Sequence, residues 1–135
     1  MTVPERGLLD TSVFIARATG RALAELPARS AVSVITVGEL ELGVLGAPGD
    51  AERARRADTL ALARNADPVP VGEPAMSAWA RLVHDCRAAG IQRMVKLADS
   101  LIAATAIAHG LPVVTQDNDY DEMAKSHPSL RVYRV

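Results

Sequence analysis

Cysteine occurs once, at position 86, so no internal disulfide can form. That cysteine and the scattered His84, His109 and His127 show no zinc-site spacing, and a reducing intracellular compartment is the simplest expectation. Aromatic residues make up only 3% of the chain, which speaks against a base-stacking platform and assigns Trp79 to core or dimer packing. Charge of one sign is also missing: 15 basic and 16 acidic residues give a formal net charge of −1. No summed positive field exists to drive indiscriminate polyanion binding. Lysine is scarce, with only Lys96 and Lys125, and the other basic residues are arginines suited to forked contacts with phosphate or carboxylate. No apolar run reaches the ~18 residues of a membrane span, and "MTVPERGLLDTS" lacks the basic segment and apolar core of a signal peptide. The expectation is a soluble, cytoplasmic protein with no membrane association, folded as one domain over residues 1–135.

What is present is an alternation of short apolar runs and helical patterns. "GLLD" predicts a strand, and "TSVFIARA" a helix behind a Thr-Ser turn. "SAVSVITVGELELGVLGAPG" starts with alternating β-branched residues and then sets Val37, Leu40, Val44 and Leu45 at helical spacing before a Gly-Ala-Pro-Gly stop. "DAERARRADTLALARNA" predicts a helix with Asp50 as N-cap, and "DPVPV" a short edge strand. "EPAMSAWARLVHDCRAAG" predicts a helix with Pro74 in its first turn and a stripe of Met76, Trp79, Ala80 and Val83. "LADSLIAATAIAHG" is apolar on nearly all sides, as a buried helix is. "LPVV" and "LRVYRV" predict further strands, with "DYDEMAKS" a short helix between them. This order argues for an α/β protein whose central, mainly parallel sheet is covered by helices.

In such sheets, sites form at the carboxyl ends of the strands. Asp10 ends the first predicted strand, Glu39 lies early in the helix after the second, and Asp117 follows "PVVT". For Asp10, an N-cap role and a functional role both fit the sequence. For Glu39 the competing reading is a solvated helix carboxylate, with Glu41 better suited to that role, because Glu39 lies about 100° from Leu40 at the margin of the apolar stripe. Asp99 sits in "KLADSLIAATAIA" with few polar neighbours. Its competing reading as an N-cap requires the helix to begin at Ser100, although Leu97 and Ala98 already fit the helical pattern.

Asp117, Asp119 and Asp121 alternate as in a calcium-binding loop. Glu122 stands where that loop needs glycine and Pro128 where it needs glutamate, so the calcium reading is excluded. A phosphatase with Asp10 as nucleophile is a second alternative. Such enzymes generally carry an acid two residues on, where this chain has Ser12.

Taken together, "LLDTS", "TVGEL", "LADSLIAA" and "VVTQDNDYD" resemble the PIN-domain ribonucleases, and the chain is similar to the short VapC-type toxins of toxin–antitoxin pairs. The resemblance spans nearly the whole sequence and implies a PIN-like three-layer α/β/α sandwich with four to five short strands. It implies that Asp10, Glu39, Asp99 and Asp117 form an acidic cluster that holds Mg²⁺ or Mn²⁺, with Ser12 and Thr115 as supporting polar residues and Asp119 as a neighbour. It further implies endonucleolytic cleavage of structured RNA, tRNA favoured, leaving a 5′-phosphate. A homodimer and a cognate VapB-type antitoxin that covers the acidic groove complete the expectation. The contrasting possibility within the same fold is a non-catalytic PIN-like RNA-binding module. The basic helix carrying Arg53, Arg55, Arg56 and Arg64 reads as a solvated face paired with Glu52 and Asp58.

Overall fold

The computed structural model describes residues 2–135. Its elements run β1 (Arg6–Leu9), α1 (Thr11–Ala18), β2 (Arg29–Val32), α2 (Val34–Leu45), α3 (Asp50–Arg64) and α4 (Glu73–Ala88). After a 3₁₀ turn at Gln92–Met94 come α5 (Leu97–Ala108), β3 (Val113–Thr115), α6 (Asp121–Ser126) and β4 (Val132–Arg134). Among the described residues the strands form one sheet of order β2-β1-β3-β4. All three pairings are parallel, with Leu8 opposite Val113 and Leu9 opposite Val114. The expected α/β sandwich is therefore present, with four strands.

Parallel strands need crossover helices, and those helices bury both faces of the sheet. Leu8 and Val113 face one side, where they pack with Leu82 and Cys86 of α4, Ile102 and Ala106 of α5, and Met123 of α6. Leu9 and Val114 face the other side, against Val13 of α1, Leu23 and Leu26. A third apolar cluster joins Val32 to Leu40 of α2 and Leu60 of α3. Gly7 leaves room for the side chain of its neighbour on β3, since a Cβ there would lie 2.5 Å from Val114 Cγ2. Cys86 is part of the core, and its burial pushes the thiol pKa up.

Three local expectations are corrected. "DPVPV" does not extend into a strand; Val69 makes an isolated parallel bridge to Ser33, and the prolines on either side of it have no N–H to continue a ladder. Asp50 is the first residue of α3, and Gly49 occupies the cap position. The buried stripe of α4 is Ala75, Ala78, Leu82 and Cys86, with Met76 and Ala80 exposed. Small alanines allow α4 to approach α5 closely, so side-chain size misled the sequence pattern about which face is inward. Trp79 is half-buried and donates Nε1–H to Ser100 Oγ at 2.9 Å. Among the described residues no helix is long and apolar enough to cross a membrane.

A candidate active site at the switch point of the sheet

The chain leaves β1 toward β2 on one side and passes from β3 to β4 on the other, so the strand order reverses between β1 and β3. Crossovers from these two neighbours diverge to opposite faces, leaving a crevice at their carboxyl ends. Asp10 follows β1 directly, and Thr115 ends β3.

Asp10 is only 4% exposed, and its carboxylate is held from several directions. Ser12 donates to Oδ1 through both its hydroxyl, at 2.6 Å, and its backbone N–H, at 3.1 Å. Thr115 Oγ1 donates to Oδ2 at 2.9 Å. Thr115 Oγ1 in turn accepts from Asp117 N–H, and Ser12 Oγ accepts from Gln116 N–H, both at 3.0 Å. The cap and the functional reading of Asp10 are thus compatible, because the same contacts that start α1 fix a carboxylate in the crevice. Burial raises the Asp10 pKa; the Ser12 and Thr115 hydrogen bonds oppose the shift, and the Asp117 charge adds to it.

Glu39 projects from α2 and accepts a 2.6 Å hydrogen bond from Thr11 Oγ1, which also contacts Thr36 Oγ1 at 3.1 Å. Glu41 points elsewhere and pairs with Arg64 at 3.1 Å. Asp99 is not a cap. Helix α5 already begins at Leu97, which places Asp99 in its first turn, favourable to the helix dipole. Its pKa is pushed up to about 6, chiefly by burial, then by the charges of Asp119 and Glu39, with Lys96 opposing and Asp10 adding a smaller rise. Four strand and helix ends thereby place five carboxylates in one electrostatic field.

Asp117 is exposed just beyond β3. Asp119 is half-buried, acts on Asp99, and lies 3.7 Å from Lys96 Nζ. Asp121 turns away, and its two carboxylate oxygens both accept from Nη2 of Arg134, at 2.7 and 2.8 Å. Tyr120, between these aspartates, is fully buried, and burial followed by the charges of Asp10, Asp99 and Glu39 holds its pKa well above the ordinary phenol range. Thr11, Thr36, Gln116 and Tyr120 were not singled out by sequence. Thr11 is adjacent to Asp10 in "DTS", but its contact with Glu39 depends on how α1 and α2 pack.

Among the described residues, no three His, Cys, Asp or Glu side chains stand close enough to hold one ion between them. The cluster is open for a physical reason: like charges repel, Thr11 draws Glu39, and Lys96 draws Asp119. The donor set is nonetheless that of a hard divalent cation, all carboxylate and hydroxyl oxygen, and the raised Asp99 pKa is the strain that a cation would relieve. Beside the acids, a groove of about 650 Å³ runs between α1, α2 and α3, lined by Ile15 and Leu40 with Glu39, Arg55 and Arg56.

The PIN domain family matches residues 7–126. Ribonuclease VapC8 of Mycobacterium tuberculosis is 67% identical over 100 residues, covering 74% of this chain and 89% of that protein. Ribonuclease VapC5 of the same organism is 44% identical over 136 residues, covering 99% and 98%. The crystal structure of VapBC-5, a toxin–antitoxin system of M. tuberculosis, matches with a TM-score of 0.87 and 39% identity over 98% of this chain and 100% of that one. The chain belongs to the PIN-domain family, among proteins of the VapC type.

Proposed function

We propose that the chain is an endoribonuclease toxin that hydrolyses phosphodiester bonds of structured cellular RNA, with tRNA the favoured class, at a Mg²⁺- or Mn²⁺-dependent site built from Asp10, Glu39, Asp99 and Asp117. The observation that carries this reading is the crowding of these acids at the sheet's switch point around a rigidly held Asp10. The naming of VapC8 and VapC5 as ribonucleases supports it.

A divalent cation bound there supplies a water of lowered pKa and positive charge for the phosphoryl oxygens. Asp10 would be its most firmly placed ligand, since Ser12 and Thr115 both donate to the carboxylate. Asp99, from the first turn of α5, and Glu39, from α2, would complete the set of carboxylates that hold the ion. Asp117 is exposed at the rim and orients the attacking water or takes its proton. Glu39 is less free for that step, because Thr11 already occupies Oε1. Water adds to phosphorus, the P–O3′ bond breaks, and the departing 3′-oxygen gains a proton, leaving a 5′-phosphate on the other fragment. Asp119 adjusts the charge on Asp99 from beside the cluster.

The phosphatase alternative loses support, because the position where such enzymes carry their general acid is Ser12, whose hydroxyl is engaged with Asp10 Oδ1. A VapB-type antitoxin is the proposed partner, supported by the likeness of the whole chain to the VapBC-5 toxin–antitoxin system. An antitoxin segment in the groove beside Glu39 would carry an Arg into the acidic cluster, where it competes with metal. Leu42 and Leu45, 71% and 73% exposed on α2, suit burial against the antitoxin or a second copy in a homodimer.

The test is cleavage of a tRNA pool by purified protein with Mn²⁺, with chelator, and with the Asp10→Asn and Asp99→Asn variants. Cleavage that needs metal and is lost in both variants is expected. Undiminished cleavage by Asp10→Asn rejects the site.

A further inference from the structure

The helix that carries Asp99 into the site has a weak start. Its cap position is held by Lys96, a side chain with donors but no acceptor, and among the described residues no side-chain hydrogen bond caps α5. The Lys96 charge also opposes the helix dipole. Leu97, the first helical residue, is 65% exposed, so burial of its side chain adds little anchorage. Helix ends fray unless something holds them, and a carboxylate on a fraying turn is poorly placed for an ion. Within the same turn, Ser100 is only 2% exposed and uses its hydroxyl twice. The hydroxyl donates to Leu97 O at 2.7 Å and accepts Nε1–H of Trp79, from α4, at 2.9 Å. By itself a serine would weaken this helix relative to alanine, because its propensity is lower and its hydroxyl competes for backbone groups. The contact with Trp79 offsets that weakness and joins the turn to a second helix.

We propose that Trp79 is a positioning residue for Asp99: its indole N–H, through Ser100 Oγ and Leu97 O, ties the first turn of α5 to α4 and so fixes where the Asp99 carboxylate enters the acidic site. The purpose of the tie rests on the metal-nuclease reading, but the tie itself is a property of the metal-free protein. Consecutive helical residues point about 100° apart, so holding Ser100 against α4 also sets the direction in which Asp99 leaves the helix. Asp10 is held by its own hydrogen bonds from Ser12 and Thr115, whereas Asp99 depends on the turn that bears it. Groups that orient metal ligands commonly change metal affinity or activity by about 10–100-fold when removed, and Trp79, acting through Ser100, belongs at the lower end of that range.

Ser100→Ala deletes one oxygen and raises helix propensity, so the fold is expected to survive; Trp79→Phe removes the donor independently. The Ser100 N–H closes the first turn on Lys96 O at 3.0 Å, and its hydrogen exchange reports opening of that turn. In metal-free protein, protection of the residue-100 amide is expected to fall by about 5-fold in each variant relative to the core amides of Ile102 and Ala106, the net worth of about one hydrogen bond. Unchanged protection at residue 100 overturns the tie. Calorimetric Mn²⁺ binding without RNA is expected to weaken by about 10-fold in both variants, and RNA cleavage to lose kcat at unchanged KM. Because the two residues act through one path, the double variant is expected to bind Mn²⁺ no more weakly than either single variant. Wild-type Mn²⁺ affinity in the variants, or losses that add in the double variant, overturn the positioning role. A wild-type protein that neither binds Mn²⁺ nor cleaves RNA refutes the nuclease reading and the purpose of the tie with it, while hydrogen exchange still decides whether Trp79 holds the first turn of α5.

Discussion

Replacing Asp99 by Asn keeps the side-chain volume and removes the charge that the site most resists. Asp99 is displaced from its ordinary 3.8 to about 6, first by burial and then by Asp119 and Glu39. Such a displacement corresponds to about 3 kcal/mol against the ionised form. Asp99 is only partly buried, so solvent screening and relaxation of neighbouring acids reduce the expected effect to about 1–2 kcal/mol. The folded state binds the Asp99 proton more tightly than the unfolded chain does. Stability from this group is therefore complete below pH 3.8 and is lost as pH rises through about 6. Metal-free Asp99→Asn should accordingly match wild type near pH 4 and exceed it by about 1–2 kcal/mol at pH 7.5, or by about 3–8 °C in thermal midpoint. Urea denaturation in the presence of chelator, at several pH values, measures the difference directly. Adding Mn²⁺ should shrink or reverse the gain, since the wild-type carboxylate then has a partner. A variant less stable than wild type at pH 7.5, or a difference that does not change between pH 4 and 7.5, would refute the account of crowded carboxylates.

Two further outcomes follow from packing. Thr115→Ala removes a 2.9 Å bond to Asp10 and leaves Asp117 N–H without its acceptor, so it should cost about 1–3 kcal/mol in denaturation and reduce kcat by about 10-fold or more. Gly7→Ala forces a Cβ to within 2.5 Å of Val114 Cγ2 and 3.1 Å of Pro27 Cγ; a loss of about 1–3 kcal/mol in urea denaturation is expected, with RNA affinity unchanged in the folded fraction.

The sequence made the layer order and the site's edge legible because both follow from local signals. Apolar runs ending in Asp10 and Thr115 announced strand ends, and the continuous apolar pattern of α5 announced a core helix. What stayed hidden depended on contacts between elements. The inward face of α4 is alanine-rich, and only its partner α5 explains why small residues, rather than Met76, face the core. The bond from Thr11 to Glu39 needs α1 and α2 side by side. Tyr120 was masked by the aspartates around it, since nothing in "DNDYD" says that its one aromatic residue points into the core.

That short segment also shows how one charge pattern divides among different tasks once a fold constrains it. Asp117 follows β3 while its backbone N–H is tied to Thr115, so the residue that grips Asp10 also fixes where the next carboxylate emerges. Asp119, two residues on, half-buried and within 3.7 Å of Lys96, tunes Asp99 from the side. Asp121 begins α6 and is held by Arg134 of the neighbouring strand β4, which anchors the helix carrying Met123 into the core. Tyr120 precedes that helix, so the same anchor that turns Asp121 away from the other acids helps to hold the Tyr120 ring in the core. An Arg134 ion pair outside the cluster and a tyrosine buried in the core are thus consecutive consequences of the same turn from β3 into α6.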